Sequence, residues 1–210
     1  MINKNLTVVD NPLVLRDLTI LRDKNTGVRE FRDALRRVSY SLAIEVSKLF
    51  PTRSVKVETP LTETEGIEFQ KDVILVPVLR AGLSMVNSFL ELLPEAKVGH
   101  IGLQRNEETL QPVEYYYKTP KTLSSSKVIV LDPMLATGGS ASAAFTFLKD
   151  KGASDITLAC LIAAPEGVRK IESEHADIKV ITASLDEKLN EHGYIVPGLG
   201  DAGDRTFGTL

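Results

Sequence analysis

The stretch Val128, Ile129, Val130, Leu131, Asp132, Pro133, Met134, Leu135, Ala136, Thr137, Gly138, Gly139, Ser140 constrains this chain more than any other part of its sequence. Four apolar residues in succession suit a strand buried on both faces, as in a parallel sheet covered by helices. Gly138 and Gly139 then let backbone N–H groups turn inward with no Cβ in the way. Residues 140–151 continue as a predicted helix, with Ala141, Ala144, Phe145 and Leu148 along one side. A strand, a glycine turn and a helix start make a cradle for an anion, because unpaired N–H groups and the positive end of the helix dipole meet there. Thr137 and Ser140 add hydroxyl donors. Asp132, where the strand gives out abruptly, would repel a phosphate, so its expected partners are ribose hydroxyls or a magnesium ion. The pattern points to a phosphorylated sugar, with a plain glycine-rich turn as the alternative on this stretch alone.

The rest of the chain fits one domain. At 210 residues, 43% hydrophobic and 25% charged, it can bury a full core without a staple. A net charge of −3 lacks the basic excess of a protein that lives on nucleic acid. The single cysteine, Cys160, lies in the apolar run 157–164 and reads as a buried strand residue in a reducing compartment. No apolar run approaches the roughly 20 residues that cross a bilayer, and the opening MINKNLTVVD has no signal-peptide core. The expectation is a cytoplasmic protein that meets neither membrane nor nucleic acid. His100, His175 and His192 do not cluster, and neither a zinc pattern nor a P-loop is present, so no metal site built from side chains is predicted.

Val28, Phe31, Leu35, Val38, Leu42, Val46 and Leu49 recur at helical spacing until Pro51, which predicts one helix about 33 Å long over 28–49, with Asn25 and Thr26 as candidate caps. Residues 54–69 alternate weakly and read as an edge hairpin. Strands are predicted at 73–79, 97–103, 127–131, 156–163 and, last, 178–183, with a helix at 83–93. Alternating strands and helices imply a mostly parallel sheet with helices on both faces and ligands beyond the strands' carboxyl ends. Residues 104–118, ending in Glu114, Tyr115, Tyr116 and Tyr117, read as a protruding β arm.

Two further segments carry chemistry. Pro77, Val78, Leu79, Arg80, Ala81, Gly82 closes a buried strand with a cation at its tip, suited to a pyrophosphate, since Arg presents a planar fork of donors. An ordinary solvated arginine is the alternative. The tail Tyr194, Ile195, Val196, Pro197, Gly198, Leu199, Gly200, Asp201, Ala202, Gly203, Asp204, Arg205, Thr206, Phe207, Gly208 sets glycines among apolar residues, which implies backbone placed close to something. Gly198, Gly200 and Gly203 satisfy the dinucleotide pattern G-x-G-x-x-G. That fingerprint must open a helix in a βαβ unit with an acidic residue about 20 positions on, and the sequence stops seven residues after Gly203.

The 128–140 stretch resembles the phosphoribosyl pyrophosphate motif of the type I phosphoribosyltransferases. Most branches place two acidic residues at the strand end, whereas Asp132 is followed here by Pro133, as in the uracil branch. The tail follows the uracil-binding loop of that branch almost letter for letter, and the segment with Asp23, Lys24 and Asn25 also matches it. The resemblance implies an α/β type I phosphoribosyltransferase fold with a β arm (104–118) and a small hood from the N- and C-terminal segments (186–210). It implies that Arg80, Arg105, Asp132, Pro133, Met134, Leu135, Ala136, Thr137, Gly138, Gly139, Ser140 and Asp201 meet the diphosphate sugar, and that Ile195, Gly200, Asp201 and Ala202 meet uracil. Asp201, Arg80 and Asp132 are the implied catalytic residues. Further implications are Mg2+ held mainly through the sugar diphosphate, UMP as product, GTP as an effector with no site named, and a dimer or tetramer. Asn11 stands where relatives often have His. The alternatives are a nucleotide- or RNA-binding regulator on the same fold, or transfer to another base.

Overall fold

The computed structural model describes the backbone of residues 4–105 and 112–209, and their side chains outside 103–115. In chain order the elements are β1 (Leu6–Val8), α1 (Pro12–Arg22), α2 (Val28–Ser47), β2 (Thr52–Glu58), β3 (Glu63–Phe69), β4 (Val73–Pro77), α3 (Leu83–Leu92), β5 (Lys97–Val98), β6 (His100–Arg105) and β7 (Pro112–Lys118). After a short 3-10 turn come β8 (Lys127–Leu131), β9 (Met134–Leu135), α4 (Gly139–Asp150), β10 (Ile156–Ala163), α5 (Pro165–Glu174), β11 (Lys179–Leu185), β12 (Lys188–Leu189), β13 (Ile195–Val196) and α6 (Ala202–Phe207).

The central sheet runs β1-β11-β10-β8-β4-β5, with β9 also on β10, and every pair in it is parallel. All residues of β4, β8 and β10 are buried, as expected for strands covered twice. Their side chains alternate between two cores. Leu75, Ile129 and Leu131 join Phe31, Leu35, Leu42 and Phe89 from α2 and α3, whereas Ile74, Val76, Val128 and Val130 join Phe145, Leu148 and Ile171 from α4 and α5. The connection after β4 therefore leaves over one face and that after β8 over the other. A topological switch point lies between these neighbours, the place where open α/β sheets bind ligands.

The predicted sheet, the 28–49 helix and buried Cys160 have counterparts; of the expected 104–118 arm, residues 106–111 lie outside the described residues; and several expectations need correction. Asn25 and Thr26 do not cap α2; Gly27 occupies that position, while the Thr26 hydroxyl donates to the Ile20 carbonyl at 2.7 Å and closes the preceding turn. Asn11 is the cap that sequence reading left without a role: its side chain accepts from the Leu13 N–H at 2.9 Å at the start of α1. The 54–69 hairpin is not an edge of the main sheet; β2 and β3 pair only with each other. The 97–103 strand divides into β5 in the sheet and β6 in the arm, where β6 pairs antiparallel with β7. Strand 178–183 is not the last, since β12 and β13 form a small ribbon after it. Finally, the cradle strand does not stop at Leu131. Asp132 and Pro133 bulge out and pairing resumes at Met134 and Leu135 against Ile162 and Ala163.

Candidate active site

At the carboxyl end of β4 the chain turns back on itself. Val78 N–H donates to the Leu131 carbonyl at 2.9 Å, which ties the turn to the end of β8. The Leu79–Arg80 peptide is cis. Gly82 lies so close to β8 that a Cβ would stand 2.2 Å from the Leu131 oxygen and 2.7 Å from the Val78 nitrogen, so only glycine fits. Arg80 is thereby left exposed at the crevice, and its guanidinium reaches Asp204 Oδ1 at 3.2 Å.

Across the crevice the 132–140 loop follows the bulge. Asp132 accepts from the Met134 N–H at 3.2 Å, and burial pushes its carboxyl up to about 7 against that single hydrogen bond. Gly138 is the N-cap of α4 with φ +79°, and Thr137 Oγ1 accepts from the Gly139 N–H at 3.4 Å. Thr137, Gly139 and Ser140 are exposed at the mouth, while Ala141, Ala144, Phe145 and Leu148 are buried along α4 as the periodicity predicts. The helix is fixed at its far side by Ser142, whose hydroxyl donates to Glu174 at 2.6 Å and lies 3.0 Å from His175 Nε2. Burial, then Lys149, holds the His175 imidazole below its usual range.

The tail forms the third wall. After the cis Val196–Pro197 bond the chain enters Gly198 at φ +66°, where a Cβ would lie 2.1 Å from the Ile195 carbonyl oxygen. Gly198 and Leu199 are buried, Gly200 and Asp201 exposed, and Ala202 buried again at the start of α6. Among the described residues the peptide groups of Gly200 have no hydrogen-bond partner within the chain. Asp201 caps α6, its Oδ1 accepting from the Asp204 N–H at 2.9 Å. Gly203 faces Ala81, since its Cβ position is 3.6 Å from the Ala81 Cβ.

Arg80, Asp201 and the 132–140 loop are thus brought to the carboxyl end of one sheet. Arg105 ends β6, but its side chain lies outside the described residues. Sequence reading missed four charged residues here: Asp204, Arg22, Asp186 and Arg205. Arg22 grips Asp186 in a two-pronged pair at 2.6 and 2.7 Å and also donates to the Gly198 carbonyl at 2.8 Å. Asp186 accepts from Ser184 Oγ at 2.8 Å and the Gly198 N–H at 2.9 Å. Burial opposes ionisation of Asp186, yet the Arg22, Ser184 and Gly198 donors outweigh it and keep the carboxyl below its ordinary range. Arg205 is buried over the Phe31 ring at 4.4 Å, and its guanidinium donates to the carbonyls of Leu21, Leu199 (2.8 Å) and Asp23 (2.6 Å). Burial lowers its pKa. One signal could have found Asp186: an acidic residue just past a strand, at the end of the sheet where ligands bind.

Among the described residues no group of three or more His, Cys, Asp or Glu could hold a metal ion, and no helix is long and apolar enough to cross a membrane.

Comparison with known proteins agrees with this geometry. Residues 8–209 match the family model for uracil phosphoribosyltransferase. The chain is 56% identical over 203 residues to the uracil phosphoribosyltransferase of Dictyoglomus thermophilum, covering 96% of this chain and 98% of that one. It is 55% identical over 205 residues to that of Finegoldia magna, covering 97% and 98%. Among solved structures, the AQ2163 protein from Aquifex aeolicus superposes with a TM-score of 0.88 at 34% identity over 96% of this chain and 97% of its own. An adenine phosphoribosyl transferase from Trypanosoma brucei, at TM-score 0.61 and 11% identity, covering 88% and 85%, shares the fold. The 132–140 loop, the Arg80 turn and the glycine-rich tail sit on a chain that belongs to the uracil phosphoribosyltransferase family.

Proposed function

We propose that this chain transfers the phosphoribosyl group of 5-phospho-alpha-D-ribose 1-diphosphate to N1 of uracil, releasing UMP and diphosphate in pyrimidine salvage. The observation that carries the reading is the convergence of three loops at one crevice, where Arg80 at the end of β4 meets Asp204 of the tail beside the 132–140 cradle. Residues 136–140 hold the 5-phosphate with N–H groups, hydroxyls and the α4 dipole. Asp132, in the bulge with Pro133 and followed by Met134 and Leu135 of β9, orients the ribose.

Displacement at the anomeric carbon builds positive charge on the sugar and negative charge on the leaving diphosphate. Arg80, and Arg105 from the arm, stabilise the latter. Backbone groups of Ile195, Gly200 and Ala202 read the base. Uracil offers an acceptor at position 4 and a donor at position 3, and cytosine reverses both, so a wrong base leaves buried groups mispaired at roughly 1–3 kcal/mol each. The free peptide groups of Gly200 support this role, as does the N–H of Ala202 in the first turn of α6. Asp201 stands by N1; with one oxygen engaged as a cap, its other oxygen remains for the ribose and diphosphate.

A Mg2+ ion bound with the sugar diphosphate would supply positive charge to the leaving group, and Asp132 and Asp201 are the carboxylates proposed to face it. The same reading takes 1–210 as a single cytoplasmic domain with an arm at 104–118 and a hood at 186–210, assembled as a dimer or tetramer and open to GTP as an effector. The test is incubation with the diphosphate sugar, magnesium and radiolabelled uracil, in parallel with cytosine, hypoxanthine, guanine and orotate. Label should pass into UMP from uracil alone. Equal transfer to another base overturns the assignment of substrate, and no transfer to any base overturns the enzyme.

A further inference from the structure

The Gly198 peptide is held from both sides. Asp186 takes its N–H and Arg22 its C=O, and these two side chains are themselves joined by two parallel hydrogen bonds. Neither anchor comes from the tail: Arg22 ends α1, and Asp186 follows β11, where its own N–H donates to the Ala163 carbonyl at the end of β10. The Asp186 side chain is 1% exposed and that of Arg22 26%. A planar guanidinium on a carboxylate has little rotational freedom, so the pair transmits the position of the rigid sheet edge to the tail. Two residues further on come the unpaired peptide groups of Gly200, on exposed backbone. A displaced Gly198 displaces Gly200, since only Leu199 lies between them.

We infer that Arg22 and Asp186 are positioning residues for base recognition, fixing the Gly198 peptide so that the main chain at 200–202 presents the donor and acceptor pattern that selects uracil, without either side chain meeting the base. The inference rests on the proposed reading of the tail as the pyrimidine loop. It goes beyond that reading by placing control of selectivity in two side chains that lie before the 194–208 tail, one of them at the far end of the sequence.

Steady-state kinetics on the full chain test it with Asp186→Asn, which keeps an acceptor but removes the charge, Arg22→Lys, which keeps the charge but removes the fork, and Gly200→Ala within the tail. Both outer variants should raise the KM for uracil at least tenfold, with kcat within threefold and the KM for the diphosphate sugar within twofold. Inhibition by cytosine should strengthen relative to uracil binding. Circular dichroism and a cooperative melt establish folding, and Arg22→Lys carries the test if Asp186→Asn does not fold. A lowered melting temperature with the uracil KM unchanged makes the pair merely structural and overturns the inference. So does an equal rise in both KM values. If Gly200→Ala also leaves the uracil KM unchanged, the reading of the tail fails; if Gly200→Ala raises it and the outer variants do not, only the inference fails.

Discussion

The 132–140 loop and the 194–208 tail, proposed above as sugar cradle and base loop, face each other across one crevice but are built by different rules. The 128–140 segment is contiguous: a buried strand, a bulge, a loop and a helix start within thirteen residues. The tail is held on one side by partners far away in the chain, Arg22 and the carbonyls of Leu21 and Asp23, and on another by Asp186, twelve residues before Gly198. An anion needs only convergent donors. Discrimination between two bases of nearly equal shape needs backbone fixed to within a fraction of an ångström, and long-range side-chain pairs can fix it.

The sharpest way to break this comparison is to damage one wall and measure the other. Gly198→Ala places a Cβ 2.1 Å from the Ile195 oxygen at a positive φ, so the tail must move. The kcat/KM for uracil should fall about 100-fold, the cost expected for a misplacement near 1 Å, with binding of the diphosphate sugar by calorimetry unchanged. Arg80→Ala should do the converse. Loss of one charge-assisted contact to diphosphate predicts a fall of about 30-fold in kcat. Its exposed pair with Asp204 contributes little to stability, so the urea midpoint should hardly move.

Arg205→Met removes the donor from three carbonyls, two of its three hydrogen bonds being fully buried. A loss of about 2 kcal/mol in urea unfolding is expected, with the cradle still able to bind sugar phosphate. The remaining test is a pH dependence at Asp132. Its pKa of about 7 in the folded chain exceeds the ordinary 3.8, so the folded state holds the proton more tightly. That contribution is fully present below about pH 4 and is lost as the pH rises to about 7. In metal-free buffer Asp132→Asn should therefore gain stability over the parent at pH 8 and gain none at pH 4. Equal differences at the two pH values would show that the carboxyl titrates normally.

The same contrast governs what could be read beforehand. β8 and β10 have the predicted limits because their nearly continuous apolar runs leave no room for another period, and α4 follows from the spacing of Ala141, Ala144, Phe145 and Leu148. The three short pieces β1, β12 and β13 were invisible, since two or three residues carry no periodicity and pair only because the sheet or ribbon is already there. The Asp132–Pro133 bulge was read as a strand end because Pro lacks an N–H, though the chain rejoins β10 two residues later. Asp201 was legible as a candidate, but not its capping bond to Asp204. Arg22, Asp186 and Arg205 escaped because a single charged residue beside a turn looks solvated until the fold brings its partner to it.

Arg205 adds a consequence in time. Every strand and helix of the cradle precedes it, so during synthesis on a ribosome the phosphate cradle is complete before the residue that fastens the tail has left the exit tunnel. A nascent chain should therefore present the 132–140 loop before the 194–208 tail can be fastened against it.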